Sequence, residues 1–216
     1  MTTKEIKHVP EPVLRRLPRY LQVLSRLKES GVKEVSSTRI AEELSLDSTQ
    51  VRKDIEFTGI VGRPKTGFLL PELIHAIESF LNWDNVSDAF LAGAGSLGTA
   101  LLGYPGFKNY GINIIAAFDS DTSKVDGVIR DIPVFHTDRL TGLAQRMHVH
   151  IGVITVPAAE AQSVADAMVE GGIKAIWNFA PIQLRVPPGI IVENTLLQSG
   201  LSVLTRKLGQ SLKEQI

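Results

Sequence analysis

A glycine-rich hexapeptide, Gly93-Ala94-Gly95-Ser96-Leu97-Gly98, lies between the apolar run Ala89-Phe90-Leu91-Ala92 and a stretch of helical character, and this order constrains the chain more than any other feature. GxGxxG alone is a weak signal. Where it follows a strand and opens a helix, each glycine has a task. Gly93 permits the tight turn, Gly95 lets backbone amides approach a pyrophosphate, and Gly98 lets the helix pack closely on the strand with its N-terminal amides facing phosphate. A second strand, Ile112–Phe118, runs into Asp119, 21 residues past Gly98. There a carboxylate accepts bonds from adenosine ribose hydroxyls and repels the additional phosphate of NADP.

The alternation of strand and helix continues. His148–Val156, Ala175–Phe179 and Ile190–Glu193 read as strands and Ala158–Glu170 as a helix, which predicts an α/β fold in which residues 86–194 form a Rossmann-like, doubly wound parallel sheet. Ligands of such sheets bind at the carboxyl ends of the strands, nominating Val156, Pro157, Asn178 and Phe179 as walls around a nicotinamide; the same residues also suit plain loops. His136, His148 and His150 have no carboxylate or nucleophile placed beside them and read as structural. No catalytic acid, base or hydride-accepting set is visible, so the expectation is a protein that is not an enzyme. Zero cysteines exclude disulfides, iron–sulfur clusters and thiol chemistry, and with five scattered histidines they argue against bound metal.

Residues 1–85 read as a small all-α winged-helix domain. From Val13 to Lys28 apolar residues recur every three or four positions, with Pro18 inside the pattern, where a kink or split is expected. A short helix, Thr38–Leu44, a turn at Ser45-Leu46-Asp47 and a third helix, Ser48–Phe57, have helix-turn-helix spacing. Asp47 is the expected cap, with Gln50 reaching back to the cap's own amide. Ser48, Thr49, Gln50, Arg52 and Lys53 form an exposed polar set suited to base edges, and arginine and glutamine are the residues that pair with guanine and adenine. Arg63 and Lys65 lie on a hairpin, Gly59–Phe68, that reads as a wing against phosphates. The chain is neutral overall, but residues 1–66 hold 13 basic and 9 acidic side chains while the remainder holds 10 and 14. A three-helix packing that never meets DNA would show the same short polar helix, so both readings stand on pattern alone.

The last segment, residues 195–216, carries an amphipathic helix from Leu196 to Leu212 whose leucine stripe needs a surface, on its own sheet or on a second subunit. No apolar run approaches the ~18–20 residues that cross a bilayer, and the N-terminus lacks the apolar core of a signal peptide, so a cytoplasmic protein with no membrane partner is expected.

Beyond the glycine loop, the stretches Gln50-Val51-Arg52-Lys53-Asp54-Ile55, Tyr104-Pro105-Gly106-Phe107, Ala117-Phe118-Asp119, Thr155-Val156-Pro157, Asn178-Phe179-Ala180-Pro181 and Val192-Glu193-Asn194 are spread along the chain. Together they closely resemble the Rex family of redox-sensing transcriptional repressors, over nearly the whole length. The resemblance implies a homodimer that binds operator DNA through paired winged helices and releases it when NADH, with NAD+ as the competing ligand, occupies the Rossmann domain. It also implies a C-terminal helix exchanged between subunits, Arg52 and Lys53 on the recognition helix, residues 93–98 on the pyrophosphate, Asp119 on the ribose, and Tyr104 near the nicotinamide. Three stretches depart from the family pattern: Glu56-Phe57-Thr58-Gly59 adds an acid beside the groove, the wing is Gly62-Arg63-Pro64-Lys65-Thr66-Gly67-Phe68, and Leu196 replaces an aspartate that members pair with an arginine aligned with Arg16. An NAD-linked dehydrogenase and a CoA-binding module are the alternatives from other classes.

Overall fold

Helix α1 (Glu11–Glu29) opens with a proline in its first turn and buries Val13, Leu17, Tyr20, Leu21 and Leu24 along one face. The computed structural model describes residues 9–64 and 66–213, and in it the chain divides into two compact units, Met1–Asn85 and Val86–Ile216. The kink expected at Pro18 is not a break: α1 runs through it as one helix. An internal proline removes one backbone bond and crowds the carbonyl four residues earlier. Here Val13 and Leu17 before it and Tyr20, Leu21 and Leu24 after it share one hydrophobic cluster, and burial on both sides keeps the helix continuous.

Helix α2 (Ser37–Leu44) is capped by Ser36, whose hydroxyl accepts from the Arg39 amide at 3.1 Å. It ends on Ser45 in the left-handed region, φ 53°. Helix α3 (Ser48–Glu56) is capped by Asp47, which accepts from the Gln50 amide at 3.0 Å. Val51, Asp54 and Ile55 are its buried side. A short ribbon of β1 (Glu34–Val35) and β2 (Phe68–Leu69) pairs antiparallel. Between α3 and β2 the loop closes where Arg63 and Gly67 exchange backbone bonds of 2.6 and 3.1 Å, forming the wing. Lys65 lies outside the described residues. Helix α4 (Leu70–Phe80) adds Leu70, Leu73 and Ile77 to the same core.

The second unit is built on β3 (Ser87–Ala92), β4 (Ile112–Asp119), β5 (Val128–Ile129), β6 (Ile132–His136), β7 (Ile151–Ile154), β8 (Ala175–Asn178) and β9 (Ile191–Asn194). Their spatial order is β5-β6-β4-β3-β7-β8-β9. Every pairing is parallel except β5 with β6. Helix α5 (Ser96–Leu102) and the 3-10 turn Pro105–Tyr110 lie on one side, where Leu91, Leu102, Ala117 and Val153 cluster. Helices α6 (Leu140–Met147) and α7 (Ala158–Glu170) cover the other, against Phe90, Phe118, Ile154 and Ile176. The segment between Asp119 and His148, unassigned from sequence, holds the β5–β6 hairpin and α6; its strands are too short and too interrupted by Pro133 to show a period. His148 ends α6 in a left-handed conformation, φ 52°, so the strand expected from His148 starts at Ile151.

Helix α8 (Leu197–Lys213) follows β9. Every described side chain from Gln198 to Lys213 is exposed, Leu201, Leu204, Leu208 and Leu212 included. The leucine stripe therefore does not pack on its own sheet, which corrects one of the two expectations.

Candidate functional site

Strands β3 and β7 are neighbours at the centre of the sheet, and the connections leaving them run to opposite sides. This is the switch point where open α/β sheets leave a crevice. The first wall is the glycine loop. Gly93 holds φ at +100°, and a Cβ there would come within 2.8 Å of the Thr155 carbonyl carbon. A Cβ at Gly98 would overlap the Gly93 carbonyl oxygen. The Thr155 hydroxyl donates to the carbonyls of Gly93, at 2.7 Å, and Ala92, at 3.0 Å, joining the two loops. Around Gly95 nothing stands within 4 Å of a notional Cβ, so the loop's outer edge is open. Ser96 is exposed and opens α5, with Leu97 half-buried behind it.

Asp119 sits at the end of β4, 8% exposed. Its Oδ2 accepts from the Ala94 amide at 2.7 Å and from Lys124 Nζ at 3.1 Å, and its Oδ1 accepts from the Asp121 amide at 2.9 Å. Burial pushes the carboxyl up, but the Asp121 amide, Lys124 and the Ala94 amide outweigh it and hold the group below the usual carboxylate range. Asp119 thus ties strand to glycine loop as an anion. A cleft of about 260 Å³ opens beside it, lined by Gly93, Gly95, Asp119, Lys124, Thr155, Val156 and Pro157. Ser120, Thr137 and Glu160 complete that cleft and also line a neighbouring one of about 420 Å³. Thr155 and Lys124 are site residues that sequence reasoning left unassigned. Thr155 was visible in a motif, but its task, hydroxyl to glycine-loop carbonyl, needs strand pairing to be known; Lys124 had no local signal.

Two of the nominated residues stand elsewhere. Asn178 is at the carboxyl end of β8 but wholly buried. Its Nδ2 lies within hydrogen-bond distance of the carbonyls of Ala180 and Ile182 and of Asn194 Oδ1, and its Oδ1 accepts from the Ala180 amide. These bonds tie the loop after β8 to β9. Tyr104 follows α5 at its far end, so the helix carries it away from the loop that opens it. Rings connect it to the crevice side in series: Tyr104 to Phe107 at 5.0 Å, Phe107 to Trp177 at 5.8 Å, Trp177 to the half-buried Phe179 at 4.6 Å. Tyr104 lines a separate cavity of about 510 Å³ with Phe107, Lys108 and Arg130.

In the first unit, α3 presents Thr49, Gln50, Arg52 and Lys53 exposed and Ser48 half-buried. Arg63 on the wing is 55% exposed at its side chain. Gln50 departs from the capping expectation: its Nε2 donates to Asp54 Oδ1 at 2.8 Å instead of the side chain returning to the cap, while the residue stays exposed. The cause is Asp54, 1% exposed, which also accepts from Arg16 Nε at 2.6 Å, Arg16 Nη2 at 2.9 Å and the Tyr20 hydroxyl at 2.6 Å. A buried carboxylate demands donors, and Gln50 is one turn away.

Residues 8–56 match a family model described as a DNA-binding protein N-terminus, and residues 84–182 match the CoA binding domain. The redox-sensing transcriptional repressor Rex of Bacteroides fragilis is 46% identical over 205 residues, covering 95% of this chain and 93% of that one. That of Treponema denticola is 48% identical over 193 residues, with 89% and 92% covered. The chain belongs to the Rex family of redox-sensing transcriptional repressors. Among solved structures, RSP in complex with β-NAD+ and operator DNA matches at a TM-score of 0.89 and 33% identity, covering 97% of this chain and 96% of that one. RSP in complex with β-NADH matches at 0.87 and 32%, covering 98% of each. Rex membership accounts for a helical unit with a wing and a Rossmann-like unit in one chain.

Proposed function

We propose that the protein is a homodimeric repressor that binds operator DNA through paired winged helices and lets go when NADH fills the crevice, with NAD+ competing for the same place. The observation that carries this is the switch-point cleft, where an ionised, buried Asp119 is bonded to the glycine loop beside an open Gly95. Residues 93–98 hold the pyrophosphate, Asp119 the ribose hydroxyls, and Val156, Pro157 and Phe179 flank the nicotinamide. Ser48, Thr49, Arg52 and Lys53 meet base edges, with Arg63 and Lys65 on phosphates. A Tyr104 contact with a nicotinamide would come from the partner, since Phe107 and Trp177 stand between Tyr104 and its own Phe179. Residues 195–216 form the exchanged helix, supported by the uncovered leucines of α8. On this reading the protein binds its nucleotide without turning it over, and it works in the cytoplasm where that nucleotide and DNA coexist; among the described residues no helix is long and apolar enough to cross a membrane.

The test is a titration of NADH, NAD+ and CoA against protein–DNA complexes formed with the chain's own upstream region. Release by NADH, weak release by NAD+ and none by CoA is the expected result. Release by CoA alone would give the crevice to the other ligand whose name the domain model carries, and hydride transfer to common aldehydes or hydroxy acids would restore the dehydrogenase reading.

A further inference from the structure

Each described arginine of the exposed DNA-facing set has a glutamate beside it. Arg52 Nε lies 3.8 Å from Glu56 Oε1, one helical turn along α3, with side-chain exposures of 63% and 65%. Arg63 Nη1 lies 3.9 Å from Glu34 Oε1. Arg52, Glu56 and Arg63 line one cleft of about 550 Å³ between α3 and the wing, together with Ser36, Ile60 and Phe68. The separations exceed a hydrogen bond, so charge alone holds each arginine near its acid and either can swing.

An acid on a surface that meets phosphates weakens every contact with DNA. Its place on the Nε edge gives Glu56 a second effect. A guanidinium is a rigid planar fork, and a partner at Nε leaves both Nη groups aimed away together, the geometry that takes guanine O6 and N7. A guanine edge is neutral and tolerates a carboxylate beside the fork, whereas a phosphate is an anion and is repelled by it. The same side chain thus favours the fork on a base and disfavours it on the backbone.

We propose that Glu56 is a positioning residue for operator discrimination, holding Arg52 by its Nε edge toward guanine and opposing its use on phosphate. The assignment rests on the reading of α3 as the element that meets operator DNA. The experiment starts with the parent protein and a randomised duplex library, from which a preferred sequence is selected. Parent, E56A, E56Q, R52A and R52A/E56A are then titrated at one fixed salt against that duplex, against versions with each guanine replaced, and against random duplex. E56A is expected to bind random duplex severalfold tighter yet lose about tenfold or more of its preference at one guanine. E56Q removes the charge that draws the Nε edge to position 56, so it should lose the guanine preference and gain random binding as E56A does. In the R52A background, E56A should leave the preference unchanged. If E56A tightens preferred and random duplex equally, or shifts preference by the same factor without Arg52, Glu56 is only a charge and the assignment fails. A parent that selects no sequence overturns the DNA reading beneath it, an outcome visible before any variant is made.

Discussion

Asp54 stands next to the exposed arginine and lysine of α3 in sequence and inside the core in space. Arg16, Tyr20 and Gln50 supply four hydrogen bonds to a carboxylate with about four acceptor sites, so none of its capacity is left over. Burial pushes the Asp54 carboxyl up, and the hydrogen bonds from Arg16, Tyr20 and Gln50 bring it below its ordinary range. Burial and the Asp54 hydrogen bond push the Tyr20 phenol above its ordinary value. Replacing Asp54 by Asn removes the charge opposite Arg16 and aims an amide at its donors. That should destabilise the first unit by about 3–5 kcal/mol, read as a lower urea midpoint at neutral pH. A depressed folded pKa contributes stability above the unfolded value, near ~3.9, that is lost as pH falls through the folded one. The gap between parent and D54N should therefore hold at pH 6–7 and close only below about pH 4. A gap unchanged at pH 3 would mean the carboxylate's charge is not what stabilises the unit.

Asp119 makes a second prediction at the same scale. Its pKa is lowered, so it stays ionised well below neutrality, and NADH affinity should show no acid limb from it between pH 5 and 8. Replacing it by Ser should bring NADH and NADPH affinities together, because the charge facing a 2′-phosphate is gone. Lys124, 3.1 Å away, already softens that repulsion. Equal affinity of the parent for both nucleotides, measured by calorimetry, would remove Asp119 from the selecting role.

At the scale of elements, α3 and α8 carry separable tasks. Arg52→Ala or Lys53→Ala should weaken specific DNA binding by about 1–3 kcal/mol per half-site, doubled in a dimer, and leave NADH binding unchanged. Parent-like affinity of both variants in a gel-shift titration would move the reading surface off α3. Deleting residues 196–216 removes the exposed leucines at 201, 204, 208 and 212. The product should sediment as monomer or aggregate and lose high-affinity operator binding, which needs two half-sites read together. A truncated chain that stays dimeric places the interface elsewhere. Both helices were legible as elements because their periods are strong. Their surroundings were not: Gln50 bonding to the buried Asp54 and α8 standing uncovered depend on tertiary neighbours.

At the scale of the whole molecule, a repressor released by its nucleotide must show the coupling from both ends. If NADH lowers operator affinity by a given factor, saturating operator lowers NADH affinity by the same factor, typically corresponding to ~1–3 kcal/mol. Leu196 cannot form an ion pair, and Arg16 is already held by Asp54 at 2.6 Å, so on the proposed dimeric reading the coupling is expected from packing differences. No change in either affinity would mean a redox-sensor fold without the NADH response. The sequence by itself determined the two-part plan, the glycine loop with its acid, the helix-turn-helix and its cap, since these depend on neighbours within a few residues or on periods that repeat. Only the tertiary structure decided that α1 continues unbroken through Pro18, that Thr155 joins the two crevice loops, that Asn178 is buried and that Tyr104 lies away from the crevice. Each of these depends on a group 30 or more residues away, on opposing burial across a helix, or on which strands become neighbours, and local spacing carries no record of such distances.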